Sequence, residues 1–129
     1  MNSPIKDKSF QFGVRIVRFC RWLRKKSHDY ELASQLLRSG TSIGANVAEA
    51  QNGQTRKEFI SKMYIAFKET NETIYWLELL KEAEVISQSD AGELLSDANE
   101  LRKILASIIK TAKQKCTSPS KKQTKPSTG

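Results

Sequence analysis

Large apolar residues recur along the chain at helical spacing, and the breaks between the periodic stretches divide it into four. In the first, roughly Ser9 to Lys26, Phe12, Ile16, Phe19 and Leu23 follow a 4-3-4 pattern with Cys20 beside them. Ser9 stands where an N-cap is expected. Ser27-His28-Asp29 breaks the pattern, and Ser27 or Asp29 can cap a second helix from about Tyr30 to Gln51. Its core positions are Leu32, Leu36, Ile43 and Val47, with Gly40 filling the gap. Asn52-Gly53 supplies a stop, Gly53 suiting the left-handed position. Thr55-x-x-Glu58 is a capping box, and it opens a third helix from about Arg56 to Glu84. Here Phe59, Met63, Ala66, Thr70, Thr73, Leu77 and Leu80 keep the 4-3 spacing of a bundle seam. A fourth helix, about 90–115, is capped by Ser89 in this reading and carries Leu94, Ala98, Leu101, Leu105, Ile108 and Ala112 inward. The pattern predicts an all-α, antiparallel up-down four-helix bundle of long helices over residues 9–116. Residues 1–8 read as a flexible N-terminus and 117–129 as a disordered basic tail.

Two features go beyond a plain bundle. Ile60, Phe67 and Ile74 form a second apolar row on the third helix, and Ile65, Trp76 and Leu79 fall on yet another side. One small bundle does not obviously bury all three sets. Ile65, Trp76 and Leu79 are therefore the expected oligomer interface, against the plainer reading of scattered exposed residues. The second feature is Leu36 to Gln54, rich in small residues. Gly40 and Gly44 share one face, and each costs a helix about 1 kcal/mol relative to alanine, a cost tolerated where another backbone comes close. Ser42, Asn46 and Glu49 read as a polar network there, with Asn46 and Glu49 expected to bury and bond across helices to Thr70 or Thr73.

Charge changes the picture more than composition does. The formal net charge is +8, and it is segregated: residues 1–28 carry a net of +7, residues 29–116 a net of −2, and residues 117–129 a net of +3. Basic clusters at both ends of a balanced middle point to a polyanionic partner. Arg24, Lys25 and Lys26 suit the negative end of a helix dipole. Arg15, Arg18 and Arg21 have no such local reason. Arg15, Arg18, Arg21 and Lys25 are the expected nucleic-acid contacts, the alternative being an ordinary solvated face. Trp22 lies on the same side and suits either an oligomer contact or a base.

Catalytic chemistry is sparse. There is no Gly-rich phosphate loop, no H-E-x-x-H, and no Cys/His ligand set. His28 is the only histidine, Cys20 and Cys116 lack metal spacing, and Ser42 has no histidine to activate it. The expectation is a non-enzymatic protein without cofactor or metal. The N-terminus lacks the apolar core of a signal peptide, and no apolar run is long enough to span a bilayer, so a cytoplasmic location without membrane association is expected.

Three elements carry a resemblance: S-I-G-A-N-V-x-E-A from Ser42 to Ala50, G-Q-x-x-K-E-F from Gly53 to Phe59, and K-E-x-x-E-T-x-Y-W-L from Lys68 to Leu77. With KSFQFGVRIVRF in the first helix, they closely resemble the bacterial four helix bundle protein family, which includes proteins encoded in intervening sequences of 23S rRNA genes. More distantly they are similar to the accessory variability protein of diversity-generating retroelements. The resemblance implies an antiparallel bundle assembled as a homopentamer. It also implies a nucleic-acid role, since the retroelement relatives are basic pentamers that bind nucleic acid and a reverse transcriptase. It carries over no catalytic residue. The function expected is an oligomeric RNA- or DNA-binding accessory protein of low sequence specificity. The alternative is a scaffold that docks an acidic protein partner such as a polymerase.

Overall fold

The computed structural model describes residues 3–117, which form α1 (Pro4–Lys26), α2 (Tyr30–Gln51), α3 (Arg56–Glu82) and α4 (Gln88–Thr117). Each helix packs on its neighbours in the chain, and α1 closes the ring against α4, while neither diagonal pair packs together. The links 27–29, 52–55 and 83–87 are short, which makes consecutive helices antiparallel. Phe12, Ile16 and Leu23 from α1 meet Leu36, Ile43 and Val47 from α2, Met63, Leu77 and Leu80 from α3 and Leu105 from α4, all fully buried. This is the expected four-helix bundle.

The seam between α1 and α2 depends on two glycines. A Cβ on Gly40 would stand 2.8 Å from both Cγ atoms of Ile16, and one on Gly44 would stand 3.1 Å from the Ser9 carbonyl oxygen. Close approach is therefore the use of both. Thr73 bonds across to α2 as expected, but its partner is Ser39, while Glu49 reaches α3 only from the surface and Asn46 does not reach it. Asn46 is half-buried and its amide donates to the Ser42 carbonyl of its own helix at 2.9 Å. Ser42 likewise donates back to Arg38 O, and Glu49 is exposed in an ion pair with Lys62 at 2.7 Å. The buried pair is Ser39 with Thr73, whose hydroxyls meet at 3.0 Å between α2 and α3. Each also reaches a carbonyl of its own helix, Leu36 O at 3.3 Å and Glu69 O at 2.8 Å, so neither is left unsatisfied.

Helix ends also differ from the reading above. α1 begins at Pro4, where a fixed φ suits the first turn. Residues 4–8 are thus helical, Ile5 is core, and Ser9 is not a cap but a buried mid-helix residue whose hydroxyl donates to Lys6 O at 3.2 Å. The expected Thr55–Glu58 capping box is present. α3 stops at Glu82 instead of Glu84. Glu84 sits at φ 63°, Val85 N–H donates to Leu80 O and Glu84 N–H to Lys81 O, a Schellman ending in which glutamate occupies the usual glycine position. Gly53, by contrast, does not adopt the left-handed backbone; a Cβ there would stand 3.2 Å from Ala50 O and 3.3 Å from the backbone N of Phe59. α4 is capped by Ser87 and not Ser89: Asp90 N–H donates to Ser87 Oγ and Ser87 N–H to Asp90 Oδ2, both at 2.9 Å. That bond from the Ser87 backbone holds the Asp90 carboxyl below its ordinary value, with the Ser87 hydroxyl adding to it. The tail expected to be disordered lies, past Thr117, outside the described residues.

Candidate nucleic-acid interface

The inward side of α1 is apolar, and its outward side is where the basic residues collect. One hundred degrees per residue puts Arg18, Arg21 and Lys25 opposite Ile16, and all three are exposed. None of them makes an ion pair or a hydrogen bond among the described residues. No acid lies within one turn of Arg18 or Arg21 on this helix. Trp22 is 39% exposed beside them, its ring tilted against Phe19 with centroids 5.3 Å apart and Lys26 Nζ 5.5 Å above it. The result is an unneutralised cationic strip with a half-exposed indole in it. Such a strip attracts phosphates through charge and offers an apolar ring at their level.

Arg15 does not belong to that strip. Its guanidinium is bonded to Asp97 of α4, and about two turns before it Lys8 pairs with Glu100 at 3.3 Å. Asp7, Lys8, Gln11, Arg15, Asp97 and Glu100 line a cleft of about 240 Å³ at the α1–α4 seam. With three carboxylates against two cations, that cleft does not suit an anion. Arg24 is likewise engaged, donating to Ser34 Oγ of α2 at 3.0 Å. Pairing across the bundle thus separates cations that look alike in the sequence.

The residues expected at an oligomer interface do not form one patch. Ile65 and Leu79 are exposed at 36% and 37%, but they are fourteen residues apart on α3, about 21 Å. Trp76 is half-buried against the core, and its indole N–H donates to Glu72 Oε2 at 3.2 Å. The same carboxylate takes Arg38 from α2 at 2.7 Å, and Arg38 also reaches Glu69 at 3.7 Å. Trp76 is therefore part of an α2–α3 clamp. The sequence reading missed this clamp, although Glu69, Glu72 and Trp76 at spacings of three and four gave a signal for it. The most exposed large apolar side chains are instead Phe10 at 65% and Tyr75 at 59%.

Among the described residues no three His, Cys, Asp or Glu side chains gather as a metal site. His28 lies on the surface with its Nδ1 3.0 Å from the Tyr30 hydroxyl. Cys20 is buried, its thiol donating to Ala33 O at 3.5 Å; burial pushes it up to about 11, against a smaller opposing pull from the Arg24 guanidinium. A thiol in that state is a poor nucleophile. No helix among the described residues is long and apolar enough to cross a membrane.

A family model described as 23S rRNA-intervening sequence protein matches residues 1–107. Among solved structures, a Bacteroides thetaiotaomicron VPI-5482 protein of unknown function, from the S23 ribosomal protein family, is similar at 48% identity. It superposes with a TM-score of 0.80 over 82% of this chain and 98% of that one. No curated protein matches.

Proposed function

The chain belongs to the 23S rRNA-intervening sequence protein family, and from that premise we propose that it is a non-enzymatic, self-associating protein that binds RNA or DNA through phosphate contacts. The observation that carries this reading is the strip of Arg18, Arg21 and Lys25, exposed and without an acidic partner, around Trp22. Three unpaired cations on one helix release counterions when they meet phosphates, so binding is strongly salt-dependent. There is no base-reading motif on the strip, so sequence specificity is low. In a titration of labelled RNA and DNA, the R18E/R21E/K25E variant loses binding while its far-UV circular dichroism is unchanged. Retained affinity in that variant removes the strip as the binding site, and binding of the wild-type chain only to an acidic protein such as a polymerase supports the scaffold reading instead.

Self-association draws support from a separate feature. Phe10, Gly13, Val14, Val17, Gly44 and Ala48 line a groove of about 390 Å³ between α1 and α2, with no charged residue in it. Gly13 is mid-helix, yet a Cβ placed there would find nothing within 4 Å. Its helix cost, about 1 kcal/mol, has no packing reason among the described residues. A second copy of the chain seated in the groove supplies one, since the chain has exposed apolar side chains such as Tyr75 and Leu79 to offer. Light scattering is the test: a mass of five times the 14.6 kDa chain supports the pentamer, and the mass of one chain contradicts it.

A further inference from the structure

Tyr64 projects from the outer side of α3 and is 48% exposed. Phe67, nearly one turn on, stacks with it at 6.3 Å between centroids and 18° between planes. Two ammonium groups lie over the Tyr64 ring, Lys68 Nζ at 5.7 Å and, from α4, Lys113 Nζ at 5.9 Å. Tyr64 and Phe67 with Ala106, Ile109, Lys110 and Lys113 enclose a cleft of about 290 Å³ between α3 and α4, and no acid lines it. The cleft lies on a helix pair that includes α3, which does not touch α1, so it is a different surface from the Arg18–Lys25 strip.

We propose that this cleft seats an unpaired nucleotide of a single-stranded nucleic acid. The base lies against the Tyr64–Phe67 platform, and the flanking phosphates meet Lys68, Lys110 and Lys113. Every base has a face that stacks on an aromatic ring, and such stacking with cations along the backbone is how single strands are held without sequence preference. A duplex keeps its base faces covered and offers only phosphates. The chain's own C-terminal tail is a poor occupant: residues 117–129 carry three lysines, no acid and no large apolar residue. The inference rests on the nucleic-acid reading above and adds to it a preference for unpaired strands.

The test is fluorescence anisotropy with the full chain, titrated into a labelled single-stranded RNA, the DNA of the same sequence, and the RNA as a duplex. Tyr64→Ala is expected to weaken both single strands by roughly 5- to 100-fold, on the measured worth of one stacked base, and the duplex by less than about two-fold. Tyr64→Phe keeps the wild-type affinity, because it keeps the ring. If Tyr64→Ala lowers the melting temperature sharply, Lys68→Gln with Lys110→Gln takes its place, with the same selective loss expected. Wild-type affinity of Tyr64→Ala for single strands, or equal losses on single strand and duplex, overturns the inference. R18E/R21E/K25E separates it from the parent reading. Loss of all binding in that variant alone leaves the α1 strip standing and removes this cleft. Loss of single-strand binding in Tyr64→Ala alone does the reverse.

Discussion

The two halves of α1 carry cations of the same kind and meet different neighbours. In the N-terminal half, Lys8 and Arg15 face α4 and are taken up by Glu100 and Asp97. In the C-terminal half, Arg18, Arg21 and Lys25 face outward and meet no carboxylate among the described residues. The difference follows from rotation about the helix. Lys8 and Arg15 are seven residues apart and share the side that looks along the α1–α4 seam, where the acids of the first half of α4 lie. Arg18 is three residues past Arg15 and has turned away from that seam. Exposed pairs such as these contribute little stability, about 0–1 kcal/mol each. Their larger effect is on function: they remove positive potential from one half of the helix and leave it on the other.

The contrast between the halves can be broken directly. R18E/R21E/K25E is expected to weaken RNA binding by about 100-fold or more at low salt, on the cost of losing and reversing three phosphate contacts. Arg15→Glu, a single reversal at a cation already spoken for, is expected to change affinity by no more than about three-fold. Equal losses per charge in the two variants would show that the Asp97 pair does not persist in solution.

A second contrast sharpens the first, because glycines on the two sides of the α1–α2 contact also look alike in sequence. Gly40→Ala drives a Cβ into Ile16, a fully buried β-branched side chain with little freedom to move. Destabilisation of about 1–3 kcal/mol is expected by urea unfolding, after the helix gain from alanine is offset. Gly13→Ala meets open space and is expected to stabilise the isolated chain by about 0.5–1 kcal/mol. If a second copy sits in the groove, the same Gly13→Ala lowers the mass seen by light scattering at limiting concentration. Between these in size stands Thr73→Val, which removes one side of the Ser39–Thr73 contact and is expected to cost about 1 kcal/mol.

What was legible in the sequence follows the same division. Four helices, their order and most core positions could be read from period alone, because Phe12, Ile16, Ile43, Val47, Met63 and Leu77 are large and regularly spaced. The Thr55 cap was legible because its partner lies three residues on. Three other helix ends were not. The turn from Pro4 to Lys8 reads as polar, although Ile5, Ser9 and Phe12 keep the inward spacing. Ser87–Asp90 is a reciprocal cap with aspartate in place of glutamate. Glu84 ends α3 in a position where the pattern leads one to look for glycine. The polar contact was placed at Asn46 and Glu49, yet Glu49 is two residues from Val47, a rotation of about 200° that turns it to solvent. Thr73 was legible as a cross-helix partner, but Ser39 opposite it was not, because a small hydroxyl residue in a core position looks like a gap. The basic face of α1 was legible, but the pairing of one of its four cations, Arg15, with Asp97 was not. Which cation a distant acid neutralises depends on helix-to-helix register, and a single-helix projection does not contain it.

The most direct test of the nucleic-acid reading is the salt dependence of RNA binding, compared between the wild-type chain and R18Q/R21Q/K25Q. Neutralising three phosphate contacts is expected to flatten the slope of log K against log salt by roughly 2 to 3. Arg15→Gln is expected to leave the slope within about 0.5 of wild type, because Arg15 is bound to Asp97. An unchanged slope in R18Q/R21Q/K25Q would contradict the account, as would a slope that falls as much in Arg15→Gln alone.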